Sequence, residues 1–336
     1  MPSLTLDQID DLAFRALVAS RTSEQNARSV AASITAAEAD GIASHGLLRI
    51  PIYCAHARSG KVDGHAMPTV VAASASALLA DANDGFAHPA IDAGLRDLIP
   101  LVERQGVALL AVRNSYNAGV MGHHVEKLAA AGLVAMAFAN APAVMAPWGG
   151  KTKAFGTNPI AFAAPREGQD ALVIDLASTV VARGEVLLRA KRGESVPGGW
   201  GLDAEGHATG DPARILEGGS MLPTGGHKGA ALALMVEVLA AALTGARFSF
   251  EAGSLTVDDH DRVGIGQAFL GIDPARLAGP QFAPRLEALC VRMMADHGVR
   301  LPGARRADHR RRAAEHGIRI DRELCAEVAR LAGEKA

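Results

Sequence analysis

The sequence predicts an α/β fold built in layers, preceded by a helical section. Two strand–helix–strand alternations in the middle of the chain carry that prediction, together with a length of 336 residues of which 49% are hydrophobic. At roughly 150 residues per domain, the length gives about two compact domains.

The elements follow in order. Leu12, Leu17 and Val18, in a segment opened by Asp7, Asp10 and Asp11, read as a first helix. Thr22 with Gln25 resembles a capping box, and Val30, Ile34 and Ala37 then recur at helical spacing until Gly41. Gly46 to Ala57, ending before Gly60, reads as a third helix. At Leu78 the texture changes: a strand through Ala82, an amphipathic helix His88 to Arg104, and a strand Val107 to Val112. The second alternation is a helix from Val120 to Ala131 and a strand Leu133 to Ala139. Ile160 to Ala164 and Leu172 to Leu176 read as short strands around the turn Arg166 to Asp170, with Ser178 and Thr179 placed to cap a helix toward Ala190. Gly193 to Gly219, rich in glycine and polar residues, reads as a surface excursion, and Pro223 to Gly229 opens an Ala-rich helix reaching Leu243. A strand at Ala268 to Ile272, a helix Pro284 to Asp296 and helical patterns beyond Arg305 complete the chain.

Composition excludes several functions. Lys and Arg number 34 against 36 Asp and Glu, so no excess positive charge exists to neutralise a phosphate backbone or an anionic membrane. The cluster Arg305, Arg306, Arg310, Arg311 and Arg312 therefore reads as a solvated or dinucleotide-phosphate-facing helix rather than a nucleic-acid site. Aromatic residues are only 4%, which disfavours base-stacking platforms and points to a small ligand. Cys54, Cys290 and Cys325 are widely separated, so neither a disulfide framework nor a cysteine zinc site is indicated, and a reducing cytoplasm is expected. The first residues lack a signal-peptide profile, and the apolar run Ala230 to Leu243 falls short of a bilayer span and contains Glu237.

Five motifs bear on chemistry. Gly225-Gly226-His227-Lys228-Gly229 combines free N–H groups at a helix start with an ammonium, which attracts anions, but it is not a Walker A loop: Gly229 stands where magnesium would need a hydroxyl. The same glycines equally serve close packing of a helix start, and the residues alone do not choose. No Gly-x-Gly-x-x-Gly follows a strand, so a Rossmann site is not indicated. Ser44-His45-Gly46-Leu47-Leu48-Arg49 places an imidazole and a guanidinium four residues apart, on one face of the following helix. That pair suits carboxylate chemistry, with the guanidinium holding a carboxylate and the imidazole moving a proton, although a capping serine with two surface residues has the same pattern. His123-His124 and Asp258-Asp259-His260-Asp261 lack metal-ligand spacing, so the histidines read as surface or interface residues and no metal is required. Gly156-Thr157-Asn158-Pro159 is a turn, and its glycine would let a ligand approach the main chain.

Taken together, the chain resembles the malate/L-lactate dehydrogenase type 2 family of NAD(P)H oxidoreductases. The resemblance rests on Asp40 to Gly46 with Arg49, on Val112 to Ser115, on Phe155 to Ala161 and on Ile174 to Thr179. Gly225 to Gly229 and Leu301 to Gly303 extend it over nearly the whole chain. Within the family, Ile215 to Gly219 and Glu237 to Gly245 are most similar to the Δ1-piperideine-2-carboxylate/Δ1-pyrroline-2-carboxylate reductases, which reduce cyclic ketimines to L-pipecolate and L-proline.

The resemblance implies a non-Rossmann α/β fold of the L-sulfolactate dehydrogenase type, with a mixed-sheet cofactor domain over residues 72–285. Residues 1–71 and 286–336 would form a helical domain, and the chain would be a homodimer. It implies that Ser44 belongs to a charge relay, that His45 is the proton donor and that Arg49 binds the substrate carboxylate, with Thr157, Arg183 and Gly184 lining the substrate site. It implies NADP contacts, NAD being the alternative, at Asn117, Ala118, Gly119, Val120 and Met121, at Asp175, Leu176 and Ala177, at His227 and Lys228, and at Gly303, Ala304, Arg305 and Arg306 toward His309.

Two positions depart from the pattern. Glu185 stands where the ketimine reductases carry Asp, and on the resemblance it would polarise the Ser44/His45 relay through a side chain one methylene longer. Asn117 stands where the family commonly has His. An amide cannot exchange a proton near neutral pH, which tilts the reading from 2-oxo acids toward imines. The competing expectations are a 2-hydroxy-acid dehydrogenase of the malate, lactate or ureidoglycolate type, and a catalytically silent dinucleotide-binding protein.

Overall fold

In the computed structural model, which describes residues 1–334, the chain forms a central mixed sheet with helices on both faces and a helical layer at one end. Its elements are β1 (Ser3–Leu4), α1 (Leu6–Val18), α2 (Glu24–Ala39), α3 (Ile50–Ser59), β2 (Thr69–Ser74), β3 (Ala77–Asp81), α4 (Ala87–Gln105) and β4 (Val107–Ser115). There follow α5 (Met121–Ala130), β5 (Val134–Ala139), β6 (Ile160–Ala164), β7 (Leu172–Leu176), α6 (Arg183–Arg192), β8 (Gly201–Leu202), α7 (Pro212–Leu216) and β9 (Ser220–Met221). The chain ends with α8 (His227–Glu237), β10 (Ile265–Ile272), α9 (Phe282–Met294), α10 (Ala304–His316), β11 (Ile318–Arg319) and α11 (Arg322–Leu331).

The sheet has seven strands in the order β2-β3-β4-β10-β5-β6-β7, and only the β3/β4 pair is parallel. β10 lies at the centre although it comes last in sequence: its Ala268 faces Ala111 on one side and Phe138 on the other. α4 and α5 cover one face, packing Ile91, Leu98, Val125 and Leu128 against Leu110, Val112, Ala137 and Phe269. Val236 and Ala240, from α8 and the π-helical turn that continues it, cover Phe138 and Ala268 on the other face.

A second apolar cluster joins α1, α2, α3 and α11, and Phe86, Tyr116, Val263 and Ile265 from the middle of the chain insert into it. The tie of β1 to β11 brings the two chain ends together. Among the described residues no helix is long and apolar enough to cross a membrane.

Three local expectations change. The cap of α2 is Ser23, whose hydroxyl accepts the Asn26 N–H, rather than Thr22, while a full capping box forms at Thr5 and Gln8 on α1. Ser178 caps no helix; its hydroxyl donates to the Asn158 carbonyl at 2.7 Å. The stretch 193–219 is more than a surface excursion, because Val196 and Ile215 join Val144, Met145, Val186 and Met221 in a small core of their own.

Candidate active site

The site begins where α2 ends. Two 3₁₀ turns, Ala43–His45 and Leu47–Arg49, precede α3 and are separated by Gly46, whose ψ of −142° breaks the helix. His45 and Arg49 therefore do not share the face of one helix, as their spacing predicts. They are gathered differently: Arg49 Nε donates to the Ser44 carbonyl at 2.8 Å, folding the guanidinium back over the turn. Ser44 Oγ lies 3.1 Å from His45 Nδ1. From the last turn of α2, buried Glu38 accepts the Leu47 N–H at 2.7 Å, and a Cβ at position 46 would overlap its carboxylate. Only glycine leaves room for that contact. Burial pushes the Glu38 carboxyl up, against the hydrogen bond from Leu47.

Asp40 anchors the same turn to the rest of the molecule. Its side chain is fully buried, His123 Nε2 donates to it at 2.9 Å, and Arg310 of α10 binds it through Nε and Nη2. The same guanidinium holds Glu126 of α5 through two bonds of 2.6 Å. Burial alone would raise the Asp40 pKa, but the hydrogen bonds and charges of His123 and Arg310 outweigh it and hold the carboxyl at about 2. His123 and His124 are thus buried, not surface residues as their sequence suggests: His123 is fixed by Asp40, and His124 Nε2 donates to the Ala118 carbonyl at 2.9 Å.

Ser44, His45, Arg49, Thr157, Arg183 and Gly184 all line one cavity of about 320 Å³. Asn117, Gly119, Val120, Met121, Asp175, Leu176, Ala177 and Arg306 line it too, whereas Ala118 is buried behind the wall. Thr157 is held by its neighbours. Asn158 adopts a φ of +38° and donates to Glu237 at 2.8 Å and to the Ala233 carbonyl, and Ser178 N–H donates to the Thr157 carbonyl at 2.8 Å. Gly156 is required for another reason than ligand approach, since a Cβ there would overlap the Ala141 carbonyl.

The remaining expected residues lie elsewhere. Gly303, Ala304 and Arg306 line a second cavity of about 810 Å³, so Arg306 faces both, while Arg305 is exposed and lines neither. The ring of His309 packs on Gly41, where a Cβ would come within 3.1 Å. His227 and Lys228 are exposed at the start of α8 and line neither cavity. The α8 start is tied beside the site through Thr224 N–H on the Ser178 carbonyl, and a Cβ at Gly229 would overlap the Thr224 carbonyl, so this glycine serves close packing.

Glu185 needs correction. It lies on the first turn of α6, but Arg189, one turn on, donates to its carboxylate at 2.9 Å, and Glu185 does not line the cavity. Within the cavity Ser44 and His45 therefore contact each other without it.

Charge in the cavity is unbalanced. Desolvation pulls the half-buried His45 down to about 3, with Arg49, His123 and Arg306 adding to the effect, so the imidazole at rest is neutral at pH 7. Arg183 is lowered by desolvation and by Arg49. Among the described residues neither Arg49 nor Arg183 has a carboxylate partner, so both guanidinium groups are free to take an anion. Asp175 is committed: it accepts the Gly122 N–H at 2.9 Å and pairs with Arg306 at 3.3 Å. Arg306 keeps its Nη1 buried and without a partner beside the start of α5. Leu187, Leu255 and Thr256 also line the cavity, and no sequence motif marked them.

The profile of the malate/L-lactate dehydrogenase family matches residues 4–329. The chain is similar to a (2R)-3-sulfolactate dehydrogenase (NADP(+)) of Chromohalobacter salexigens, with 47% identity over 93% of each chain. It is similar to a Δ1-pyrroline-2-carboxylate/Δ1-piperideine-2-carboxylate reductase of Pseudomonas syringae pv. tomato, with 42% identity over 98% of this chain and 96% of that one. The crystal structure of a Δ1-piperideine-2-carboxylate reductase from Pseudomonas syringae pv. tomato matches with a TM-score of 0.94 and 40% identity, covering 98% of this chain and all of the other.

Proposed function

The chain belongs to the malate/L-lactate dehydrogenase family of oxidoreductases, and from that premise we propose that it reduces cyclic 2-imino carboxylates with NADPH, NADH being the alternative. The products are L-proline from Δ1-pyrroline-2-carboxylate and L-pipecolate from Δ1-piperideine-2-carboxylate. The observation that carries this reading is that His45, beside Arg49, is the one cavity-lining imidazole among the described residues. Asn117, also in the lining, spends its carbonyl on the Gly119 N–H at 2.6 Å and has no proton to exchange.

The residues present fit a dinucleotide. The unpartnered Arg306 Nη1 offers a donor to phosphate oxygens, and Asn117 to Met121 with Asp175 to Ala177 form the adjoining wall. When bound, the nicotinamide supplies a hydride to the C=N carbon. Arg49 holds the substrate carboxylate and fixes the distance of the ring from the wall. Ser44 occupies the Nδ1 side of His45, which leaves Nε2 for the substrate nitrogen. Burial is the main cause of the low His45 pKa and the charges of Arg49 and Arg306 add to it; the substrate carboxylate and the phosphates offset those two charges, which moves the pKa upward from its resting value. An imine tolerates a neutral resting histidine, because its nitrogen is basic enough to bring a proton; a ketone is not.

A second reading has an observation of its own. Arg183, unpaired beside Arg49, suits a substrate with two acid groups, and a relative at 47% identity is named a sulfolactate dehydrogenase. We also propose a homodimer, supported by α9, of which only Cys290 is buried while Leu289 and Val291 are each 56% exposed. Steady-state oxidation of NADPH and of NADH with Δ1-pyrroline-2-carboxylate, pyruvate and 3-sulfopyruvate tests the reading. A higher kcat/KM for the imine supports it, and a higher value for either oxo acid replaces it with the second class.

A further inference from the structure

The acidic run Asp258 to Asp261 has a structural task next to the cavity. Ser59 Oγ donates to Asp258 at 2.5 Å, and Lys61, whose side chain is fully buried, pairs with Asp259. His260 Nδ1 donates to the Ser59 carbonyl at 3.2 Å, and Arg247 holds Asp261 at 2.9 Å. Residues 253–262 contain no helix or strand, so these side-chain ties fasten the segment as a strap from the end of α3 across to the sheet side. Lys61 makes the tie costly to break, because loss of Asp259 would leave a buried ammonium unpaired.

The strap turns sharply at Ser254, whose Oγ accepts the N–H groups of Thr256 at 3.1 Å and Val257 at 3.2 Å. That turn aims Leu255 inward. Leu255 is half-buried, packs against the helical core, and lines the cavity together with Thr256. They are the only lining residues between α8 and α10 among the described residues. The other walls come from strand ends, the segment Asn117 to Met121, α6, Arg306 of α10 and the Ser44-His45 turn.

We propose that Leu255 is a specificity-determining residue of the substrate cavity, held by the acidic strap as an apolar wall that sets how many ring methylenes enter. This rests on the imine reading given above. The chemistry favours such a device: Arg49 grips the same carboxylate in five- and six-membered substrates, so they differ only in apolar bulk, and apolar bulk is what a leucine wall measures. One methylene against such a wall discriminates by roughly 10- to 200-fold.

The test is the ratio of kcat/KM for Δ1-piperideine-2-carboxylate to that for Δ1-pyrroline-2-carboxylate, with NADPH affinity measured by fluorescence in parallel. Leu255→Ala should raise the ratio about tenfold and Leu255→Phe should lower it, each with a dissociation constant for NADPH within about threefold of the parent. Ratios within twofold of the parent in both variants would overturn the proposal. If the parent reduces neither imine, the imine reading falls, and the wall is then read on pyruvate against 2-oxobutanoate, which differ by one methylene. An unchanged ratio there overturns the proposal on its own, and a shift toward the longer acid in Leu255→Ala supports it.

Discussion

Replacing Asp40 by Asn should destabilise the protein in a manner that depends on pH. The carboxyl sits at about 2 against an ordinary 3.8, with its side chain fully buried. At ~1.4 kcal/mol per pKa unit the charged form contributes about 2 kcal/mol to folding. Because the folded pKa lies below the unfolded one, that contribution is complete above about pH 5 and is lost as the pH falls from about 4 toward 2. The amide also turns a donor toward Arg310, which accepts nothing, so the loss at pH 7 should reach roughly 2–5 kcal/mol. Urea unfolding of parent and Asp40→Asn protein at pH 7 and pH 3 measures both parts. The gap between the two should shrink by about 1 kcal/mol at pH 3, roughly half of the carboxylate's contribution. A gap that is equal at both pH values would refute the claim that His123 and Arg310 stabilise a charged Asp40, and with it the account of how the Ser44-His45 turn is anchored.

His45→Ala should lower kcat by about 10²–10⁴-fold with a smaller change in KM, as expected for loss of a proton-transfer group, and initial rates over a range of imine concentrations check it. Arg49→Ala should chiefly raise KM, by roughly 10- to 100-fold, since it removes a charged hydrogen bond made alike in ground and transition states. The depressed His45 predicts divergent pH profiles: with rising pH across neutrality kcat/KM should fall, because the free enzyme holds its histidine neutral, while kcat stays level to a higher pH. Profiles corrected for ionisation of the imine that coincide would contradict the coupling of anion binding to proton uptake. Gly46→Ala should lower activity more than stability, because the new Cβ meets the Glu38 carboxylate that holds the turn between His45 and Leu47; kcat/KM and the melting temperature measured together decide this.

Much of the fold was legible where apolar runs are bounded by turn formers. β6 and β7 match their sequence runs residue for residue, with Arg166 to Asp170 as the turn between them. β10 extends three residues beyond its run, because Gly266 and Gln267 interrupt the apolar pattern; Gln267 is nevertheless buried, exchanging hydrogen bonds with Ser115. β2 escaped notice since its residues are mostly exposed at a sheet edge and carry no alternation. The third helix begins four residues after the start its apolar pattern suggests, because Gly46 looks like one helical residue among apolar ones while its extended ψ makes room for Glu38, eight residues away.

The site divides along similar lines. Ser44, His45, Arg49 and Thr157 sit in compact motifs that a sequence displays. Leu255 and Thr256 reach the cavity only through ties from Ser59 and Lys61, nearly two hundred positions back, and no local pattern announces such a contact. Glu185 went the other way. Its position in the family motif suggested a relay, but Arg189 on the same helix captures its carboxylate.

The central claim is that Arg49 and His45 face one small anionic substrate in a single cavity. A crystal structure of the ternary complex with NADP and L-proline tests it directly. The account predicts the proline carboxylate on Arg49 and the ring nitrogen within hydrogen-bond reach of His45, with the nicotinamide against the wall formed by Asn117 to Met121. A product bound with its carboxylate on Arg183 alone, or lodged away from His45, would contradict it.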